Sequence, residues 1–378
     1  MRRKKRRRKT QKLGFIRKTF LFANVVVAIL LLGSYFAPTT DPQQFWAIAF
    51  LGMAYLFLLG LNILFILIWL FLKRSYMLIS LATILIGWSA LQSHIGFRNT
   101  GAEERPLVSD SSSIRVLTYN VHLFRDINQK NNEPDIQEDA ISLIAEVDPD
   151  VVCIQEFYTR EKGKHDISGA FNRELGLVYQ YFHPVAQNDF ESYGLAIFSK
   201  YPIKSSGHLP DFELGVNSII YSDVEKDGEL IRIYNVHLRS FRFQQEDYDF
   251  IAGSKDGTIE TNVSSTKRIG SRIKQAFLSR SMQSKSLKKH VESNNTPYMI
   301  LGDFNDTPLS FAVNHVGKGL KNAFREKGSG WGRTYNGDFP NFQIDYIMAS
   351  PEFEVEQYRI IPRRLSDHYP VWADLRIH

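Results

Sequence analysis

Three long apolar runs in the first quarter of the chain limit what it can fold into. They cover Phe20–Ala37, Phe45–Leu72 and Tyr76–Leu91, and only three residues between positions 20 and 91 are charged. A helix that crosses a bilayer needs about 20 predominantly apolar residues. The first two runs are long enough, and the third becomes long enough when it extends through Ser93. The sequence therefore predicts a membrane domain with three transmembrane helices over residues 20–93.

The first run admits a second interpretation, because a cleaved secretory signal also places an apolar core after a basic segment. The best cleavage position follows Ala37, but bulky Tyr35 stands at the −3 position and Pro38 follows the bond. Small residues are required at such a site. The sequence therefore favours an uncleaved span.

The distribution of Lys and Arg around these runs predicts their orientation. Residues 1–18 contain eleven of them and no acid, none lies between the first two runs, and Lys73 and Arg74 lie between the second and third. Cytoplasmic segments carry the excess of positive charge, so residues 1–19 are predicted to be a basic cytoplasmic tail. A nucleic-acid or nuclear-targeting role for this tail is disfavoured because an apolar run begins at Phe20. Three crossings place the rest of the chain on the extracytoplasmic side.

A linker and a soluble domain are predicted to follow the membrane segment. Residues 94–113 mix Gly, Pro, Ser and charged residues without apolar periodicity, which is typical of a linker. From Ile114 short β-type runs alternate with helical segments, of which Ile136–Val147 and Lys267–Val291 are the clearest. The predicted strands are Ile114–Val121, Asp150–Phe157, Gly194–Lys200, Val216–Val224, Leu230–Leu238, Pro297–Phe304, Phe342–Ala349 and Pro370–Ile377. Many strands and few helices over residues 114–378 predict an α/β sandwich of layers.

Polar side chains stand where several of these strands end. Asn120, Glu156 and His237 each close an apolar run, and Asp303 and Asn305 close another. Residues two apart on an extended backbone share a face, so Asp303 and Asn305 are expected to reach one site. Taken singly, an Asp or Asn at a strand end is usually turn chemistry or a helix cap.

Three further polar residues complete this set. Asp367 and His368 precede Pro370 and are placed in the loop that enters the last strand, where both can face one cleft. Asp345 lies near the start of its strand, which fits a shared site only if that strand is antiparallel to its neighbour. Together the eight residues supply oxygen ligands for a hard cation and titratable groups for proton transfer.

The segments that carry these residues resemble the endonuclease/exonuclease/phosphatase superfamily, which includes deoxyribonuclease I-like nucleases, neutral sphingomyelinases and inositol-phosphate 5-phosphatases. TYNVHLF, IQEF, YNVHL, GDFND, IDYI and SDHYP occur in the family's order over residues 114–378. GDFN together with SDHYP is the specific part of the match. The resemblance implies a four-layered α/β sandwich, in which two stacked mixed β-sheets are flanked by helices, and a catalytic domain that hydrolyses phosphoesters.

The resemblance also implies catalytic roles. Asp303 and Asn305 match the pair that orients or activates the attacking water. His368, paired with Asp345, matches the histidine that acts on the phosphate during in-line displacement, and His237 matches the one that stabilises the charged transition state. Which group is the general base stays open.

The metal site is implied in the same way. Asn120 and Glu156 match the family's metal-binding amide and carboxylate, and Asp367 is a further ligand. Mg²⁺, with Mn²⁺ as the alternative, suits such oxygen ligands.

The sequence departs from the family at Gln343. Many relatives carry Arg at this position, two residues before the aspartate of IDYI. The resemblance therefore implies that a contact made by this Arg, with phosphate or within the structure, is weakened here.

The charge of the predicted soluble domain bears on its substrate. Residues 92–378 carry 33 Lys or Arg against 39 Asp or Glu, and the basic residues of the Lys267–Val291 helix do not fall on one face. Nucleic-acid binding without sequence preference rests on clustered Lys and Arg. We therefore expect a membrane-anchored, Mg²⁺-dependent phosphodiester hydrolase whose partners are the lipid bilayer and a lipid head group or small phosphodiester. A nuclease is the alternative, and a non-catalytic binding domain on the same fold is disfavoured because all eight polar positions are present.

Three further features of the sequence give additional expectations. TYNVHLF (118–124) nearly repeats IYNVHLR (233–239), which predicts matching strand positions for His122 and His237 unless the repeat is chance. For His122 we expect a role in supporting the ligands or the structure rather than metal ligation. Asn305 and Asn262 each begin a glycosylation sequon, and a glycan on Asn305 would block the site. This favours a bacterial periplasm over a glycosylating lumen. Arg239–Ser265 is expected to be a loop that shapes specificity.

Overall fold

The computed structural model describes residues 14–98, 113–125, 136–209, 217–244, 246–247, 250, 263–337 and 342–378. The predicted basic tail lies outside the described residues except at its end. Most of the predicted linker, the sequon at Asn262 and much of the Arg239–Ser265 loop also lie outside them.

The amino-terminal part of the chain is helical. Its helices are α1 (Phe15–Ser34), α2 (Pro42–Phe45), α3 (Ala47–Met53), α4 (Tyr55–Leu72), α5 (Arg74–Ile86) and α6 (Trp88–His94). Asp41 caps α2, since its side chain accepts a hydrogen bond from the N–H of Gln43 at 2.9 Å. Of the described helices, α1 and α4 are each long and apolar enough to cross a membrane. The second apolar run is therefore divided, and only its α4 part has the length of a span.

The third apolar run is not the single transmembrane helix that the sequence predicts. It forms α5 and α6, which are bent by 67° at Gly87 and reach the length of a span only as a pair. The ring of Tyr35 packs against this glycine so closely that a Cβ there would lie 2.0 Å from the ring. The Tyr35 hydroxyl donates to the carbonyl of Thr83 at 3.0 Å. Contact with α1 thus accounts for a bend where the sequence shows only continuous hydrophobicity.

Two six-stranded mixed sheets form the rest of the described chain, as the predicted fold class requires. The strands, numbered along the chain, are β1 (Ile95–Phe97), β2 (Ser113–Asn120), β3 (Val151–Arg160), β4 (Tyr179–Gln187), β5 (Glu191–Ser199), β6 (Ile203–His208), β7 (Ile219–Lys226), β8 (Glu229–His237), β9 (Tyr298–Asp303), β10 (Lys321–Asn322), β11 (Ser329–Trp331), β12 (Asp345–Ala349), β13 (Phe353–Ile360) and β14 (Val371–Ile377). The first sheet has the order β13-β14-β2-β3-β5-β4, and the second has the order β10-β12-β9-β8-β7-β6. Only β2 with β3 and β8 with β9 pair in parallel in these sheets. Short strands β1 and β11 pair separately.

Helices cover the outer faces of both sheets and complete four layers. They are α7 (Gln137–Val147), α8 (Ile167–Leu175), α9 (Val263–Glu292) and α10 (Phe311–Gly317), whereas the short helix α11 (Ala323–Lys327) packs into the core between the sheets. Residues of α7 and α8 pack on the first sheet, and residues of α9 and α10 pack on the second. The inner faces of the sheets share a core to which Val116, Ile197, Ile233 and Leu301 contribute. Apolar side chains on alternate strand positions face this core. This pattern is the reason that the sequence predicts these strands.

A buried polar contact joins the two sheets inside this core. The amide nitrogen of Gln155 on β3 donates to Oδ1 of Asn235 on β8 at 2.7 Å and to the hydroxyl of Thr118 at 3.0 Å. The amide nitrogen of Asn235 donates to the carbonyls of Ile154 and Ala196 in the first sheet. We call these residues, Thr118, Gln155 and Asn235, the inter-sheet seam.

The near repeat of the heptad does not reflect equivalent positions. His237 is the last residue of β8, whereas β2 ends at Asn120 and His122 begins a short 3₁₀ turn. Matching strand positions for His122 and His237 were therefore a wrong prediction.

The strand that carries Asp345 has the direction that a shared site requires. It is β12, which runs antiparallel to β9 with Asp345 opposite Asp303.

Candidate active site

The polar strand ends meet at one end of the two sheets, around a cavity of about 240 Å³. The first sheet supplies Asn120, Glu156 and, before β14, Asp367 with His368; the second supplies His237, Asp303 and Asn305. Asp345 lies behind His368. The structure thus brings together all eight residues proposed from the sequence.

Asp303 is the centre of this cluster. It ends β9, its side chain is 1 % exposed, and its Oδ2 lies 3.2 Å from the amide nitrogen of Asn120 and 3.0 Å from that of Asn305. The same oxygen lies 3.6 Å from Nε2 of His237 and 3.7 Å from Nε2 of His368. Burial raises the pKa of Asp303 to about 6, although the two histidines act in the opposite direction.

Asn305 reaches the site through a turn rather than along an extended strand. Its φ is 52°, in the left-handed region, and its backbone N–H donates to Oδ1 of Asp303 at 2.7 Å. Asn305 also donates a side-chain hydrogen bond to the carbonyl of Leu238 at 3.0 Å. The structure therefore places Asp303 and Asn305 side by side at the cavity, but the extended geometry given as the reason is wrong, because β9 ends at Asp303.

His368 is held between two carboxylates. Its Nδ1 lies 3.0 Å from Oδ2 of Asp345, and its Nε2 faces Asp303. Burial alone lowers the pKa of His368, but the charges of Asp345 and Asp303 raise it well above the ordinary value. A histidine with carboxylates at both nitrogens is stabilised as a cation that donates from both.

Glu156 enters the site from a β-bulge. The pairing of β3 with β5 shifts register between Ile154 and Phe157, and Glu156 has a φ of 53°. Such a bulge turns a side chain away from the regular alternation of the strand. The Glu156 carboxylate lies 3.9 Å from Nε2 of His237.

His122 lines the site, and the sequence predicted for it a supporting or structural role rather than metal ligation. Its Nδ1 lies 3.8 Å from Glu156 and 3.7 Å from Asp367, so the imidazole stands between two predicted metal ligands. His122 and the next two residues all have φ near 50°, and its N–H donates to Oδ1 of Asn120 at 3.1 Å. The sequence signal for this position is the heptad TYNVHLF, in which His122 follows Asn120 by two residues.

Within the part of the chain that the structure describes, the carboxylates of Glu156 and Asp367 face the cavity without a lysine or arginine at salt-bridge distance. Among the residues that the structure describes, each lies within salt-bridge distance of histidines alone. Two partly exposed carboxylates on either side of one imidazole fit a hard divalent cation. A second group, Asp303, Asp345 and His368, also places its ligand atoms within 4.8 Å of one another.

Arg280 on α9 is a supporting residue that the sequence did not single out. Its side chain is fully buried, its Nε lies 3.1 Å from Oδ2 of Asp306, and its Nη1 donates to the carbonyl of Asn305. Its guanidinium also stacks 4.8 Å from the ring of Phe241. Arg280 therefore fixes the turn that follows Asp303.

Two parts of the chain match models of protein families. Residues 117–368 match the model of the Endonuclease/Exonuclease/phosphatase family, and residues 17–94 match one described as a domain of unknown function (DUF8431). No curated protein is matched.

Solved structures similar to this chain include three with low sequence identity. The endonuclease/exonuclease/phosphatase from Beutenbergia cavernae is 18 % identical, with 70 % of this chain and 72 % of that one covered and a TM-score of 0.49. The protein from Bacteroides vulgatus is 18 % identical, with 70 % and 99 % covered and a TM-score of 0.48. The human Nocturnin catalytic domain with bound sulfate anion is 15 % identical, with 73 % and 98 % covered and a TM-score of 0.46. Because the family model spans most of the chain, the chain belongs to the Endonuclease/Exonuclease/phosphatase family.

Proposed function

We propose that this protein is a membrane-anchored, metal-dependent hydrolase of phosphodiesters. The observation that carries the proposal is the surrounding of one buried carboxylate oxygen, Oδ2 of Asp303, by two amide nitrogens and two imidazoles. Such a group accepts a proton from water while the nearby N–H donors face the oxygens of a phosphoryl group. Membership of the family supports this reaction class.

The metal is assigned to the Glu156 side of the cavity. Glu156 and Asp367 would hold it, and Asn120 would be a third ligand because its Oδ1 retains a lone pair beside the N–H of His122. The alternative group at Asp345 and His368 is less suitable, since an imidazole flanked by carboxylates at both nitrogens is held as a cation and has no free lone pair for a metal. When bound, Mg²⁺ or Mn²⁺ neutralises charge on the phosphoryl oxygens.

The remaining residues act on the water and the phosphate. Asp303 accepts the proton of the attacking water, and Asn305 orients the Asp303 carboxylate through its amide. His237 and His368 donate from Nε2 to the oxygens on which negative charge increases. Asp345 keeps Nδ1 of His368 protonated and the ring in place.

Contacts between the membrane segment and the soluble domain support anchoring by three crossings. Asp41, in the connection between α1 and α4, accepts from the hydroxyl of Ser281 on α9 at 2.5 Å and pairs with Lys285. This connection and the soluble domain therefore lie on the same side of a membrane. The α4 helix leaves that side, so the bent α5 and α6 pair must return to it. In this proposal residues 1–19 are a cytoplasmic tail, residues 20–93 the membrane domain, residues 94–113 a linker and residues 114–378 the catalytic domain.

The experiment is hydrolysis of bis-p-nitrophenyl phosphate by the purified full-length protein in lipid nanodiscs with Mg²⁺. We expect turnover by the unaltered protein and a loss of about 10²–10⁴-fold in the Asp303→Asn variant. The control is Asp189→Asn, which changes an exposed acid outside the cavity. Absence of turnover by the unaltered protein, or normal turnover by Asp303→Asn, would contradict the proposal.

A further inference from the structure

One wall of the candidate active-site cavity is apolar, and part of it comes from the membrane segment. Met53 lines the cavity together with Phe241, Phe243 and Phe342. Met53 is the last residue of α3, and the apolar helix α4 begins at Tyr55. The cavity therefore lies at the level where a proposed transmembrane helix begins.

Aromatic side chains connect this wall to helix α3. The rings of Phe243 and Phe241 stack with centroids 5.3 Å apart, and Phe241 lies 6.4 Å from Phe277 on α9. Phe277 meets Phe50 on α3 edge to face at 5.2 Å. A continuous apolar surface thus runs from the cavity to the helix that precedes the membrane span.

Polar contacts between the α2 and α3 segment and α9 accompany these apolar contacts. The amide nitrogen of Gln43 donates to the carbonyl of Leu278 at 2.7 Å, and the ammonium of Lys274 lies 4.5 Å from the ring centroid of Trp46. Together with the pairing of Asp41 and Lys285, these contacts attach α2 and the residue before α3 to α9, and the ring contact of Phe50 with Phe277 continues the attachment along α3. The segment forms a fixed part of the cavity.

The cavity consequently has two chemically different sides. The polar side contains the carboxylates and imidazoles around Asp303, and Arg242 adds a guanidinium to the lining near Phe241 and Phe243. A volume of about 240 Å³ accommodates a phosphate ester and a few attached carbons, but not a whole membrane lipid. Longer chains would have to extend beyond it, toward α3 and the start of α4.

We propose that the substrate is a phosphodiester lipid whose apolar chains remain in the bilayer while its phosphate enters this cavity along Met53, Phe241 and Phe243. This inference rests on the proposed hydrolase function and specifies its substrate class. Hydrolysis consumes one water, forms one P–O bond to the water oxygen and breaks one P–O ester bond, and it yields an alcohol and a phosphomonoester. The apolar wall binds the carbons next to the phosphate.

The test compares substrates that share a head group and differ in their chains. Full-length protein in nanodiscs with Mg²⁺ receives phosphatidylglycerol or phosphatidylcholine in the bilayer, or the deacylated glycerophosphoglycerol or glycerophosphocholine in solution. Bis-p-nitrophenyl phosphate is measured in parallel. We expect at least one acylated lipid to be hydrolysed with kcat/KM about tenfold or more above its deacylated counterpart, because chain carbons are buried on binding.

Failure of the inference and failure of the function give different results. Hydrolysis of bis-p-nitrophenyl phosphate without preference for an acylated substrate would overturn the lipid inference and leave the hydrolase proposal standing. Preference for single-stranded DNA or RNA oligonucleotides over lipids would also overturn it, since aromatic side chains can stack on bases. Absence of hydrolysis of every substrate would defeat both.

Variants of the wall provide a second measurement. Phe243→Ser and Met53→Ser remove apolar surface from the cavity, and we expect each to lower the ratio of lipid to bis-p-nitrophenyl phosphate turnover by about tenfold. Phe190→Ser is the matched control, because Phe190 is 77 % exposed and does not line this cavity. An unchanged ratio in both folded wall variants would contradict the inference. The comparison of acylated and deacylated substrates by the unaltered protein decides the question if either variant fails to fold.

Discussion

Asp345 lies directly opposite Asp303 on the neighbouring antiparallel strand. Cross-strand neighbours have adjacent side chains, and here two carboxylates share one end of the pair. Two close negative charges are unfavourable without a cation, and the imidazole of His368 lies 3.0 Å from one and 3.7 Å from the other. Strand register therefore determines the position and the charge of the histidine.

This relationship predicts the effect of removing one charge. In Asp345→Asn, the amide no longer stabilises a protonated His368, and we expect kcat on bis-p-nitrophenyl phosphate to fall about 10²–10⁴-fold. Glu352→Gln, an exposed change in the turn after β12, is the control and should match the unaltered protein. Normal turnover in a folded Asp345→Asn protein would exclude the assigned role.

Metal binding is predicted to depend on Glu156. Removal of divalent ions with EDTA should abolish hydrolysis, and Mg²⁺ or Mn²⁺ should restore it. Glu156→Gln loses one ligand charge, so we expect titration calorimetry to show metal affinity at least about tenfold weaker. Glu161→Gln, exposed just beyond β3, is the control. Unchanged metal affinity in Glu156→Gln would contradict this assignment and would place the metal at the other group, around Asp303 and Asp345.

Arg280 is predicted to stabilise the turn after Asp303. Arg280→Met leaves Asp306 buried without its cation, and we expect a loss of about 3–5 kcal/mol in the free energy of unfolding. The double variant Arg280→Met with Asp306→Asn should regain part of this loss, because no unpaired charge remains. Denaturant unfolding of the two proteins measures the difference. Equal destabilisation would show that the ion pair is not the cause.

The membrane topology gives a fourth prediction. Cys153 is buried and burial raises the pKa of its thiol, so the native cysteine is a poor target for maleimide reagents. An impermeant maleimide should label Thr39→Cys and Asn188→Cys from the same side of intact cells or vesicles, and Ser75→Cys only after permeabilisation. Labelling of Ser75→Cys together with Asn188→Cys would mean that the bent pair does not cross the membrane.

The sequence predicted the central strands and the composition of the site because both depend on local patterns. Alternating or continuous apolar residues marked β2, β3, β8 and β9, and polar residues at their ends marked the cavity. The strands of two or three residues, β1, β10 and β11, were missed, and so were the longer strands β4, β6 and β13. These three longer strands lie at sheet edges, where exposed positions weaken the apolar pattern.

Other features of the site depend on backbone geometry or tertiary contact. The bulge at Glu156 and the left-handed turn at Asn305 re-aim side chains in ways that residue spacing does not reveal. The bend at Gly87 requires contact with Tyr35, which lies far away in sequence. The contribution of Met53 to the cavity is of the same kind, since an apolar residue inside an apolar run carries no local sign of a second role.

The inter-sheet seam has a consequence for how the halves of the site stay aligned. Apolar packing between two sheets is non-directional, so it specifies the alignment of the sheets less sharply than hydrogen bonds do. The bonds of Gln155 and Asn235 are directional, buried and lost together if one sheet shifts against the other. Glu156 follows Gln155 directly, and His237 lies two residues after Asn235. The inter-sheet seam therefore fixes the position of one sheet relative to the other. If well-packed aliphatic side chains replaced these residues, the chain would still fold, but the distance between the metal ligands and the proton-transferring groups would vary more.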